Sequence, residues 1–173
     1  NMKFNLVAFE KADEVVAAYD SGRCDVYTTD RSGLAAQRTK LTKPDDHMVL
    51  PEIISKEPLG PVVRQGDDQW FNVARWTLRA LINAEEMGVT KANAASKASS
   101  SKDPALLRLL GKEGKFGEEL GLSNDWALNA ITAVGNYSES YEANVGPNTP
   151  LKLDRGVNAL WDDGGILYAA PIR

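Results

Sequence analysis

Between residues 55 and 61 the chain reads Ser55-Lys56-Glu57-Pro58-Leu59-Gly60-Pro61, and its apolar periodicity changes there. A proline removes a backbone donor, fixes its own φ and restricts the residue before it. Neither a helix nor a central strand can run through such a stretch. The fold must therefore be built from what lies on either side, and a crossing between domains is expected near residues 55 to 60.

Before that point short strand and helix signals alternate. Lys3 to Phe9 is apolar and aromatic, as a buried strand is. Ala12, Val15, Val16 and Tyr19 recur at helical spacing, and Gly22 supplies a stop. Cys24 to Thr29 predicts a second strand. Ser32 to Leu41 predicts a helix that ends before Pro44. His47 to Ile54 predicts a third strand, bent or at an edge because of Pro51. Strand alternating with helix is the pattern of an α/β layer with a mainly parallel sheet.

After a short strand at Val62-Val63-Arg64, the remainder reads as mostly helical. Asp67 caps a helix with Trp70, Val73, Thr77, Ala80, Leu81 and Ala84 on one face, closed by Gly88. Residues 91 to 102 are rich in Ala, Ser and Lys and lack large apolar groups, which predicts an exposed, mobile segment. Asp103-Pro104 starts a short helix that Gly111 ends. Ser123 or Asn124 caps a longer helix carrying Trp126, Ala130, Val134, Tyr137 and Tyr141. Asp154 caps another with Val157, Leu160 and Trp161 inside it, which Gly164-Gly165 breaks. Trp70, Trp76, Trp126 and Trp161 are expected in the core, since most fall on apolar helix faces.

Composition narrows the function classes. The 173 residues suit one domain or two small ones, and 43% hydrophobic residues can supply a core. Twenty basic and 24 acidic residues leave a net charge of −4, which argues against a nucleic-acid partner. No run nears the ~18 apolar residues of a membrane span, and the opening is not a secretory signal. A single Cys and a single His exclude a Cys/His zinc cluster and an internal disulfide. The start, Asn1-Met2-Lys3-Phe4, runs straight into strand-like sequence and reads as a piece of a longer protein.

Among candidate groups Asp30 stands out. It lies where a strand signal ends and a helix signal begins, and ligands of α/β sheets gather outside the carboxyl ends of strands. A carboxylate there can hold a ligand ammonium. From spacing alone, capping of the helix from Ser32 is the plainer role, and both remain open. Asp45-Asp46-His47 reads as a solvated turn, because adjacent residues rarely converge on one ion. His47 has no nucleophile partner in view. Gly111, Gly114 and Gly117 space a lysine-containing loop without the Walker spacing, since position 106 is leucine. Glu118 and Glu119 suit the first turn of a helix. Cys24 reads as a small buried hydrophobe. Asn136-Tyr137-Ser138 fits the glycosylation triplet, a pattern common by chance.

Three stretches carry a resemblance. They are Ser21-Gly22-Arg23-Cys24-Asp25-Val26-Tyr27-Thr28-Thr29-Asp30, then Val49-Leu50-Pro51-Glu52-Ile53-Ile54 on to Pro61, then Gly135-Asn136-Tyr137 through Asn144-Val145-Gly146, Thr149-Pro150-Leu151, Arg155-Gly156, Asn158-Ala159-Leu160-Trp161 and Gly164-Gly165 to Pro171-Ile172-Arg173. Together they resemble the polar amino acid-binding family of periplasmic solute-binding proteins of bacterial ABC transporters, a type II periplasmic binding protein fold, and within it the general L-amino acid-binding subgroup. The third stretch is specific to that subgroup, and the likeness covers nearly the whole chain.

The resemblance implies an α/β, periplasmic binding protein-like fold in two lobes and a mature protein about twice this length. Residues 1–56 would be part of lobe 2, and residues 57–173 the mostly helical C-terminal part of lobe 1, with the hinge crossing near 55–60. It implies capture of an L-amino acid in the periplasm and delivery to an inner-membrane ABC permease, with Asp30 on the ligand's α-ammonium. That implication reverses the balance drawn from spacing. No catalytic residue, metal or cofactor is implied, and the chain would not itself span the membrane. The family's arginine for the ligand carboxylate, its aromatic wall and its Gly-Thr-Thr turn have no counterpart in this chain. The same is true of the cysteine the subgroup carries before that turn, a partner for Cys24. Ser138, Ser140 and Ala143 stand where the subgroup has Gly, a large apolar residue and Arg. The rival readings are a periplasmic enzyme on the same fold, of the cyclohexadienyl dehydratase kind with Asp30 and Glu52 as its visible acids, and a ligand-free interaction domain. Exposed apolar edges would favour swapping or a dimer.

Overall fold

The computed structural model describes residues 3–55 and 58–173. Asn1 and Met2, and Lys56 and Glu57 of the expected crossing, lie outside the described residues. The chain divides into two compact units, Asn1–Pro58 with Pro150–Leu153, and Leu59–Thr149 with Asp154–Arg173.

In the first unit, α1 (Ala12–Asp20) forms where the apolar spacing predicts it, with Asp13 and Glu14 in the first turn facing the positive end of the helix dipole. Gly22 follows with φ +76°, a conformation that costs a glycine little. Helix α2 (Arg31–Arg38) is shorter than predicted, and Pro44 opens a 3-10 turn, Pro44–Asp46. The three strand segments differ from expectation. Lys3 to Phe9, Cys24 to Thr29 and His47 to Ile54 form no β-ladder. A strand exists only through its neighbour's hydrogen bonds. Phe4, Leu6, Val26, Met48, Leu50, Ile53 and Ile54 are exposed along these segments, a surface of the kind that a sheet partner covers. Among the described residues before Pro58, the buried apolar ones are Ala18, Ala35 and Leu41.

The second unit holds the larger core. Asp67 accepts a hydrogen bond from the Trp70 amide at 3.0 Å and starts α3 (Asp68–Glu86), a 19-residue helix. Helix α3 packs against α7 (Trp126–Val134) and α8 (Tyr137–Asn144). Ala80, Ala84, Val89, Leu109, Leu110, Ala127 and Ile131 form the interior, and Ile82, Leu160 and Ala169 form a second cluster. Asp103 caps α5 (Pro104–Leu109) through the Ala105 amide, as the sequence predicts. The short helix α6 (Phe116–Glu119) carries Glu118 and Glu119 in its single turn.

Five expectations for this unit are corrected. Val62-Val63-Arg64 forms no strand. Residues 94–100 are not an exposed linker but helix α4 (Ala94–Ser100), with Ala94 and Ala98 inside the core and the helix packed on α7 and α5. Alanines four apart make a flat face that lets a neighbouring helix approach closely, so large side chains are not needed. The long helix beginning near Ser123 is two helices, broken at Gly135 (φ +85°) and restarted by Asn136. The region after Asp154 forms two 3-10 turns, Gly156–Asn158 and Trp161–Asp163, rather than a helix, followed by an isolated parallel bridge between Leu160 and Leu167. Trp70 and Trp161 are 57% and 52% exposed, so they are not core residues, whereas Trp126 packs on the main core.

Candidate functional site

Asp30 occupies the N-cap position of α2 with φ −54° and ψ 143°. Its backbone oxygen accepts from the Leu34 amide at 2.8 Å, but its carboxylate makes no capping hydrogen bond. The plainer role expected from spacing is therefore not the one its side chain performs. The residue is half-buried, at the point where the Cys24–Thr29 segment turns into the helix.

Adjacent residues at the end of α1 tie this region together. The Tyr19 hydroxyl lies 2.9 Å from His47 Nδ1, and the Tyr19 ring contacts those of His47 and Tyr27 at centroid separations of 5.2 and 6.3 Å. The Asp20 carboxylate accepts from the Thr42 hydroxyl at 2.7 Å and from the Thr42 amide at 3.1 Å. Those two bonds hold the Asp20 carboxyl below its usual value of 3.8. Because the folded value is depressed, the stabilising link is complete above pH 3.8 and is lost as the pH falls below it through the folded value. An NMR titration of the Asp20 carboxyl should give a midpoint below 3.8; a midpoint at or above that value contradicts the link.

The other candidates separate. Asp45 and Asp46 lie in an exposed 3-10 turn, and no group of three or more metal-type side chains gathers among the described residues. His47 is engaged by Tyr19. Glu52 is exposed. Cys24 is a free, half-buried thiol. Gly111 and Gly117 serve backbone packing: a Cβ on either would strike the carbonyl of Asn124 or Ser123, while Asn124 Oδ1 accepts from the Gly117 amide at 3.2 Å. The Asn136 side chain is buried, accepts from the Glu139 amide and donates to the Val89 carbonyl, which commits it to structure.

One feature escaped the sequence reading. In the second unit a cavity of about 160 Å³ is lined by Trp76, Phe116, Glu119, Leu120, Trp126 and the C-terminal Pro171–Arg173. Trp76 and Trp126, both among the residues the sequence predicts for the core, are the signal that points to it.

No family model matches the chain. Curated relatives do, over its entire length. It is 59% identical to the general L-amino acid-binding periplasmic protein AapJ of Rhizobium johnstonii, and 55% identical to the putative amino-acid ABC transporter-binding protein YhdW of Escherichia coli K12. It is 50% identical to the glutamate/glutamine/aspartate/asparagine-binding protein BztA of Rhodobacter capsulatus. In each case the chain spans 51% of the relative's length. Among solved structures, an ABC transporter periplasmic binding protein from Brucella ovis with glutathione bound matches 99% of the chain with a TM-score of 0.92 and 54% identity, the chain covering 54% of it. End to end, in sequence and in backbone, the chain is thus similar to about half the length of periplasmic amino acid-binding proteins of ABC transporters.

Proposed function

We propose that the chain is part of an extracytoplasmic solute-binding protein that captures L-amino acids in the periplasm and delivers them to an inner-membrane ABC permease. The observation that carries this reading is its identity, from end to end, with half of several proteins named for amino acid binding. Glutathione in the Brucella structure is consistent with it, since its γ-glutamyl end presents a free α-ammonium and α-carboxylate. No helix among the described residues is long and apolar enough to cross a membrane.

In this reading residues 1–56 contribute to lobe 2 and residues 57–173 to lobe 1, with the hinge crossing near 55–60. The division of the chain at Pro58 and Leu59 supports that boundary. A ligand touching both lobes stabilises the closed form over the open one, which is how binding becomes a signal to the permease. Asp30 holds the α-ammonium; its carboxylate, free of any capping bond at the start of α2, supports the assignment.

A charge-assisted hydrogen bond contributes about 1.5–3 kcal/mol, and about 1.4 kcal/mol is tenfold in affinity. Asp30→Ala in the full-length protein should therefore weaken amino acid binding at least about tenfold. Calorimetric titration reads this directly, and unchanged affinity would sink the assignment. Recovery of the bound amino acid chemically unchanged separates a binder from an enzyme on the same fold, and ligand-dependent thermal stabilisation separates it from a ligand-free interaction domain.

A further inference from the structure

We infer that Tyr19 and Asp20 are positioning residues for Asp30, a role that rests on the reading of Asp30 as the ammonium ligand. Two adjacent residues at the end of α1 reach both flanks of α2. Tyr19 contacts the Tyr27 ring, three residues before Asp30, and binds His47 beyond α2. Asp20 binds both the amide and the hydroxyl of Thr42, just past the C-terminal end of α2. The approach into α2 and the exit from it are thus tied to one turn of α1.

The sequence choice at position 20 strengthens the point. An aspartate at the last position of a helix faces the negative end of the dipole, and α1 has no basic residue in its last turn to offset it. Local preference opposes Asp20, so its role is the tertiary link to Thr42. Tyr19 is half-buried with its hydroxyl bonded, so it too is ordered by contacts outside its own helix.

The test is a double-mutant cycle on the full-length protein. A residue that acts through Asp30 loses its effect when Asp30 is removed, whereas one that only stabilises the fold does not. Tyr19→Leu and Asp20→Ala are each made with Asp30 present and in the Asp30→Ala background, and affinity for a bound L-amino acid such as glutamate is titrated well below the melting temperature. Asp20 is exposed, so its variant folds even if that of Tyr19 does not. Each is expected to lower affinity about three- to tenfold with Asp30 present, and less than about twofold without it. Equal losses in both backgrounds, or no loss with Asp30 present, overturn the inference. An Asp30→Ala protein of unchanged affinity overturns the Asp30 assignment and this inference together, whereas additive losses on a weakened Asp30→Ala protein overturn this inference alone.

Discussion

Residues 1–173 alone, titrated with L-amino acids, should give no measurable binding at micromolar protein concentration, whereas the full-length protein should bind. The argument is one of magnitude. Micromolar affinity needs about 8 kcal/mol, and the one ligand group assigned to this chain supplies about 1.5–3 kcal/mol. In the proposed reading the rest comes from ligand groups in the half of the protein outside this chain, which spans half the length of its relatives. The resemblance puts the carboxylate-binding arginine and the aromatic wall outside this chain. Ordering costs make the gap wider, because Cys24 to Thr29, the approach to Asp30, forms no β-ladder. Micromolar binding by residues 1–173 would mean that the main ligand contacts lie within this chain and that the map of the site is wrong. Sedimentation of the same sample reads whether the exposed apolar residues Phe4, Leu6, Ile53 and Ile54 drive self-association.

How much of this could be read beforehand depended on whether the cause was local. Asp67 and Asp103 cap helices as expected, because a cap needs only a side chain and an amide two or three residues on. Gly22 and Gly88 end helices at positive φ for an equally local reason. The break at Gly135-Asn136 was also local, and its sign was present: Asn136 followed three residues later by Glu139 is a capping box. It was overridden by the apolar period that runs on from Trp126 to Tyr141. Helix α4 was missed because its burial depends on what packs against Ala94 and Ala98, and small residues carry no hydrophobic signal of their own. The strand segments read as strands because their composition suits a sheet, but pairing is a property of two segments and not of one. Asp30 was legible as a candidate from its strand-to-helix position, with capping the plainer of two roles that spacing left open. The structure shows no capping bond from its carboxylate, and its ligand role comes from the resemblance alone. Tyr19 gave no sign of its role, since its partners are eight and 28 residues away along the chain.

Arg155→Met should destabilise the second unit by about 3 kcal/mol, the largest loss expected from a single substitution. Arg155 Nη2 donates to both Glu85 carboxylate oxygens at 2.9 and 3.1 Å, and Nε and Nη2 donate to the Asn158 carbonyl at 3.0 and 2.8 Å. Its guanidinium lies 5.4 Å from the ring centres of both Tyr137 and Tyr141. The side chains of Arg155 and Glu85 are only 16% and 13% exposed, so Glu85 would be left as a nearly buried, unpaired carboxylate. That stranded charge, more than the lost attraction, sets the size of the effect, so Glu85→Leu combined with Arg155→Met should recover much of it. Urea unfolding of the single and double variants distinguishes the two contributions. A loss below about 0.5 kcal/mol for Arg155→Met would reduce the pair to a surface ion pair. Tyr137 offers an independent reading. Burial raises its phenol above the usual value of 10.0, and the nearby Arg155 charge works in the opposite direction. Removing that charge should therefore move the Tyr137 titration further upward by ultraviolet absorbance, whereas a downward move would mean that Arg155 acts on the ring mainly by excluding water from it.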